Sequence, residues 1–158
     1  SQWKFLSKKR RIKRMVKLNN VVRVNITNVK DFFVKWFVFL KPFHNLTNKE
    51  IDVMATFLKY RYELLSKSDD PNLPNLIDDV VMSEGIKAKV RADCKLSKAY
   101  FGALMSQLKR SSVFMDKKIN PKFIPNMEVG DKSFNLLFYF EIGDEEINNK
   151  KGKRKSKD

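Results

Sequence analysis

Cysteine and histidine are nearly missing from this chain: Cys94 and His44 are the single examples of each among 158 residues. One copy therefore cannot build a disulfide framework, a zinc cluster or any metal site that needs two such ligands. Either the compartment is reducing or redox chemistry has no bearing on the fold. A Cys–His nucleophile is the one catalytic use left to the pair, and its setting argues against it. Cys94 closes a helix with an apolar face, where a small buried filler is the common role. Glycine is scarce too. Its five copies, at positions 85, 102, 130, 143 and 152, stand alone, so no glycine-rich phosphate loop is present. Long apolar runs are lacking, since no segment reaches the roughly 18 apolar residues of a membrane span. The stretch "SQWKFLSKKRRIKR" places its charge after its apolar residues, the wrong order for a secretory signal. No membrane contact and no cofactor are expected, and the chain reads as soluble, working inside a cell or within something assembled there.

Acidic residues are the minority: 18 against 33 Lys and Arg, a net charge of +15. The placement of that excess matters more than its size. Residues 1–17 carry +8 with no acid, and residues 150–158 carry +5, which leaves +2 for residues 18–149. Basic arms on a nearly neutral body neutralise phosphates without reading sequence. Lys8, Lys9, Arg10, Arg11, Lys13 and Arg14 are the candidates for such contact. Trp3, Phe5 and Leu6 are candidate anchors for the arm, and the bland alternative is a solvated tail. The acid pairs Asp69 with Asp70 and Asp78 with Asp79 sit in a turn and on a helix surface, where solvated carboxylates are the rule, so no active site and no enzyme is expected.

Along the body, "VVRVNIT" alternates Val22, Val24 and Ile26 with polar residues and predicts a short strand. "NVKDFFVKWFVFLKPF" is apolar almost all round, with Asn28 as a candidate N-cap. Too short to cross a bilayer, it must be covered by its own domain or by another chain. Phe32, Phe33, Trp36, Phe37, Phe39 and Leu40 are the candidate subunit contacts. In "LTNKEIDVMATFLKYRYELL" Thr47 and Glu50 form a capping box, and Ile51, Met54, Phe57 or Leu58, Arg61 or Tyr62, and Leu65 keep helical spacing. "SKSDDPNLPN" breaks the chain, and "LIDDVVM" then suggests a short helical turn. Ser83 starts a second helix, ending near Asp93, with Ile86, Val90 and Cys94 on one face.

After the tight turn "DCKLS", Ser97 caps a third helix whose buried stripe is Phe101, Leu104, Met105 and Leu108. "VFMDKKINPKFIP" reads as a hairpin with its tip at residues 116–118. "SFNLLFYFEI", residues 133–142, reads as a strand apolar on both faces, so both faces should be covered. Two helices joined by a tight turn and followed by a hairpin are the layout of a winged helix. The expectation is an α+β, winged-helix-like topology over residues 45–125. It lies within one domain spanning 18–142, between the basic arm 1–17 and a charged tail 143–158. The exposed face of the third helix offers Lys98, Ala99, Gly102, Ala103, Ser106, Gln107, Lys109 and Arg110. Lys98, Gln107 and Arg110 are its candidate nucleic-acid contacts, but base readout favours Arg, Asn or Gln early in such a helix. The small residues there suit close approach of another helix or backbone, so protein contact ranks above base contact.

"LTNKEIDVMATFLKYRYELL", "LSKAYFGALMSQLKRSSVFMDKKINPKFIPN" and "FNLLFYFEI" together resemble small proteins of crAss-like phages, tailed viruses of gut bacteria. The likeness runs over residues 29–142, and the Lys, Asn, Ile and Phe bias fits an AT-rich genome of that kind. The resemblance implies a structural virion protein of the portal–tail region, a ring or connector subunit present in many copies. Its partners would be other copies of itself and other portal and tail proteins, with non-specific DNA contact through the basic tails. No functional residue carries over. The runner-up is a winged-helix DNA-binding protein, a regulator or packaging accessory; a third reading is an adaptor binding a host protein through residues 32–43.

Overall fold

In the computed structural model, residues 21–143 are described. The chain falls into two compact units, Ser1–Pro125 and Asn126–Asp158. The layout expected over residues 45–125 thus ends where the first unit ends. The basic arm 1–17, with Lys8, Lys9, Arg10, Arg11, Lys13 and Arg14, lies outside the described residues, as does nearly all of the charged tail.

The described part of the first unit is mostly helical: six helices and a two-stranded antiparallel sheet, an α+β arrangement. Four helices begin at a polar residue whose side chain accepts the amide of the third helical residue, the local chemistry that satisfies an orphan donor. Asn28 does this for α1, Val29–Phe39, taking the Asp31 amide at 2.8 Å. Asp31 in turn accepts from the Thr27 amide at 3.0 Å and pairs with Lys35 at 2.9 Å. The bond to Lys35, first, and the one to Thr27 hold the Asp31 carboxyl below its ordinary range.

The next residue, Leu40, caps α1, and α2, Lys41–His44, follows at once with Pro42 in its first turn, where a missing N–H costs nothing. Asn45 ends α2 at φ +54, a left-handed conformation that asparagine tolerates. The capping box expected at Thr47 opens α3, Asn48–Lys67. The Glu50 amide donates to Thr47 Oγ1 at 3.3 Å, and the Thr47 amide to Glu50 Oε1 at 3.0 Å.

α3 is the axis of the unit. Ile51 and every residue from 53 to 58 are buried, which a helix achieves only when neighbours cover it on several sides. α1 packs on one side and α4, Leu73–Val81, and α5, Glu84–Asp93, on others. α4 is longer than the expected helical turn because Pro74 belongs in its first turn, where proline starts helices as well as breaking them. α5 begins at Ser83 as expected and buries Ile86 and Val90.

The turn out of α5 has a defined geometry. The Leu96 amide bonds to Arg91 O and the Lys95 amide to Ala92 O, both at 3.1 Å, with Lys95 left-handed at φ +55. These two bonds make a Schellman motif with lysine where glycine is usual. α6, Lys98–Arg110, is capped by Ser97 and buries Phe101, Leu104, Met105 and Leu108, the stripe read from spacing. β1, Phe114–Met115, pairs with β2, Lys118–Ile119, in the register Phe114 to Ile119 and Met115 to Lys118. The hairpin tip is therefore two residues, Asp116 and Lys117, and Lys118 belongs to a strand. Both tip residues are left-handed, the type I′ geometry that matches strand twist. Asn120 ties the base of the hairpin, its amide bonding to Val113 O at 2.8 Å and its Nδ2 to Ser112 O at 2.9 Å.

Two expected strands are not formed. Residues 21–26 have no regular structure and are exposed. Residues 133–142, in the second unit, likewise have no ladder, and most of their side chains are exposed. Alternating apolar residues give a segment the right faces, but a strand also needs a partner edge for its backbone groups. In the second unit a turn closes on Gly130 at φ +92, where the Asp131 amide bonds to Glu128 O at 3.1 Å.

Candidate functional site: a basic face and an aromatic edge

The two groups that suggested catalysis have structural partners. His44 is buried, and its Nδ1 accepts the Leu46 amide at 2.9 Å. That fixes the proton on Nε2, which donates to Phe37 O at 2.7 Å. Burial, helped by nearby Lys41, lowers the His44 pKa against the opposing pull of the Phe37 bond. With both nitrogens held by backbone, the ring pins α2 to α1 and packs edge-on against Phe37 and Phe123, leaving neither nitrogen to activate a thiol. Cys94 is buried with its thiol pushed up, and it lies 3.4 Å from Thr56 Oγ1, which itself donates to Asp52 O.

The acid pairs also have local partners. Asp70 accepts the Asn72 amide at 2.9 Å, Asp78 is 4.0 Å from Arg61, and Asp79 is 3.1 Å from Lys118. Among the described residues no group of three or more His, Cys, Asp or Glu is placed to hold a metal ion. No described helix is long and apolar enough to cross a membrane.

The candidate interface residues divide. Phe33 and Phe37 are core residues, 3% and 0% exposed, because they lie one helical turn apart on the side of α1 that meets α3. They are thereby removed from the set that a second chain can reach. Phe32, Trp36 and Leu40 are half-buried, and Trp36 Nε1 donates to Phe123 O at 2.8 Å. Phe39 is exposed. Sequence spacing did not single out its exposed neighbours Val38 and Phe43, because a segment apolar all round does not declare which side meets solvent. Phe43 O accepts from Ser112 Oγ at 3.5 Å, so this edge adjoins the base of the hairpin.

On α6 all three candidate nucleic-acid residues, Lys98, Gln107 and Arg110, are exposed. Arg110 folds back on its own helix, its Nε donating to Ser106 O at 3.2 Å. Between them Ala99, Gly102 and Ala103 form a low surface, and a Cβ built on Gly102 would meet nothing within 4 Å.

Averaging over the whole body conceals how its charge is sorted. In residues 21–83 eight Lys and Arg balance eight Asp and Glu, and several pair off: Lys30 with Asp52 at 2.9 Å, Lys35 with Asp31, and Arg61 beside Asp78. In residues 84–122, from α5 to the hairpin, ten Lys and Arg face three acids. Of those acids Asp93 accepts a hydrogen bond from Tyr60 and lies 3.8 Å from Lys59, so α3 uses part of its charge. The bond to Asp93 pushes the Tyr60 phenol up to about 12. Residue-by-residue counting would have found this sorting; a single net charge did not. No family model, no curated protein and no solved structure matches the chain.

Proposed function

We propose that this chain is a structural subunit of a multi-copy assembly, a ring or connector protein of the portal–tail region of a tailed phage. In this reading its partners are other copies of itself and neighbouring portal and tail proteins, and its location is the virion. Its helix-turn-helix and hairpin are a winged-helix-like domain used as a building block. The observation that carries the reading is exposed apolar side chain in two places. On the first unit Val38 and Phe39 are about half exposed at the end of α1. On the second, Leu137, Tyr139, Phe140 and Ile142 are 58%, 66%, 86% and 96% exposed on a stretch without regular structure. Apolar surface of that kind is what a neighbouring chain covers. Two different patches, rather than one self-complementary patch, suit the head-to-tail contacts that close a ring.

The test is the mass of the full chain in solution by light scattering, with native mass spectrometry for copy number. A discrete oligomer is expected, reduced to monomer by Phe39→Glu together with Phe140→Glu. Quantitative mass spectrometry of purified virions should find the protein in many copies. A monomer at every concentration, absent from particles, ends the proposal.

A further inference from the structure

We infer that the surface around α6, from Lys95 in the turn before it to Lys117 at the hairpin tip, binds the phosphate backbone of duplex nucleic acid without reading its sequence. This differs from contact through the basic tails, and from base readout by α6.

The charge is placed for it. Lys95, Lys98, Lys109 and Lys117 are exposed, and none of them enters an ion pair among the described residues. They span the turn before α6, both of its ends and the hairpin tip. Lys109 stands eleven positions after Lys98, a rise of about 16 Å. That exceeds the roughly 12 Å width of a major groove, so the two ends reach the strands that border it. Between the ends, α6 offers few groups to base edges: Ala99, Gly102 and Ala103 carry no hydrogen-bonding side chain, Ser106 Oγ donates to Gly102 O and Arg110 is turned back onto Ser106, which leaves Gln107.

Gly102 adds an independent observation. Glycine inside a helix costs stability relative to alanine, and here nothing in the chain requires it, because a Cβ would stand in open space. The missing side chain leaves room on this face for a ligand backbone to approach closely. Positive charge around a low surface fits a polyanion better than an apolar partner.

The experiment titrates the full chain against fluorescent duplexes of about 20 base pairs with unrelated sequences, at salt from about 50 to 200 mM. The tails contribute their own salt dependence, so variants carry the test. Replacing three face lysines, Lys98→Gln with Lys109→Gln and Lys117→Gln, should lower the slope of log K against log salt by roughly 2 to 3. The weakening should be equal for every duplex. A control set on the charge-balanced layer, Lys41→Gln with Lys49→Gln and Lys67→Gln, should leave the slope unchanged. Gly102→Leu, whose Cβ would meet nothing within 4 Å, should hold or raise the melting temperature yet weaken binding to all duplexes.

Equal slopes for the face variant and the wild type would assign all binding to the tails and overturn the inference. So would equal losses from both lysine sets. If the face variant instead loses self-association while duplex binding persists, the face is a contact for acidic protein surface. One candidate for such a surface is the segment holding Glu128, Asp131 and Glu141. Because oligomer mass and duplex affinity are read separately, failure here is distinct from failure of the assembly proposal.

Discussion

Phe37 and Phe39 stand two residues apart on one helix, and their replacement by alanine should have opposite consequences for folding and for assembly. Phe37 is fully buried, its ring against His44, while its carbonyl holds the histidine Nε2. Alanine keeps the backbone bond and the helix, so the variant isolates the loss of the ring. The cavity and the lost burial together should cost about 3–5 kcal/mol. That is a large share of the roughly 5–15 kcal/mol that holds a domain of this size together. Phe39 is 47% exposed, so about half of a phenylalanine's burial is at stake, on the order of 1 kcal/mol. Urea unfolding followed by circular dichroism, at concentrations dilute enough to hold the chain monomeric, reads both values from the shift in midpoint. Size analysis at higher concentration reads the other half: Phe39→Ala should loosen the oligomer, beyond its small cost to the fold. Comparable destabilisation by the two variants would refute the assignment of Phe37 to the core and Phe39 to the surface. A Phe39→Ala oligomer as tight as the wild type would remove this edge from the subunit contact.

The buried neutral His44 should make the fold sensitive to mild acid. Its folded pKa is lowered, so above about pH 6.5 neither state holds the proton and stability is constant. Below that, the unfolded chain takes up a proton that the folded one refuses, and stability falls until the lowered folded pKa is passed. Midpoints measured from pH 8 to 5 should fall across that window, and His44→Gln should flatten the fall even though it destabilises at every pH. Lys95→Gly should raise stability by up to about 1 kcal/mol, since the left-handed φ of +55 penalises a side chain more than glycine's extra unfolded freedom costs. Thermal melts should show the rise, and a drop would mean that the turn is held by the lysine stem. Thr47→Ala should cost about 1 kcal/mol through loss of the cap to the Glu50 amide, whereas Thr47→Ser should cost little.

What sequence reading found and missed divides along a physical line. Asn28, Thr47, Ser83 and Ser97 were each legible as helix starts, because an N-cap is a bond between residues three apart and needs nothing else. The buried stripe of α6 was legible for the same reason, since helical spacing puts Phe101, Leu104, Met105 and Leu108 on one side wherever the helix sits. The segments 22–27 and 133–142 misled because strand periodicity describes faces, whereas strand formation depends on an edge supplied from elsewhere in space. In the aromatic run the difficulty was different. Six candidates shared one segment, and only packing against α3 divided buried Phe33 and Phe37 from exposed Phe39.

The placement of the two surfaces carries a mechanical consequence. α3 is covered on several sides, with α1 on one and α4 and α5 on others, so one buried helix connects the aromatic edge to the basic layer. The edge is also bonded to the residues that flank the hairpin, Trp36 Nε1 donating to Phe123 O and Ser112 Oγ to Phe43 O. Close-packed elements joined this way move together rather than bend independently. A neighbour seated on Val38 and Phe39 would therefore fix the orientation of α6 and the hairpin tip. In a closed ring, symmetry would repeat that orientation in every copy, presenting the lysines as a band of uniform charge. Such a band suits a ligand whose own charge repeats along its length, as a duplex does, and has no use for recognising one sequence. In such a ring few base-reading side chains would be expected on α6, because equal binding of every sequence leaves nothing for them to select.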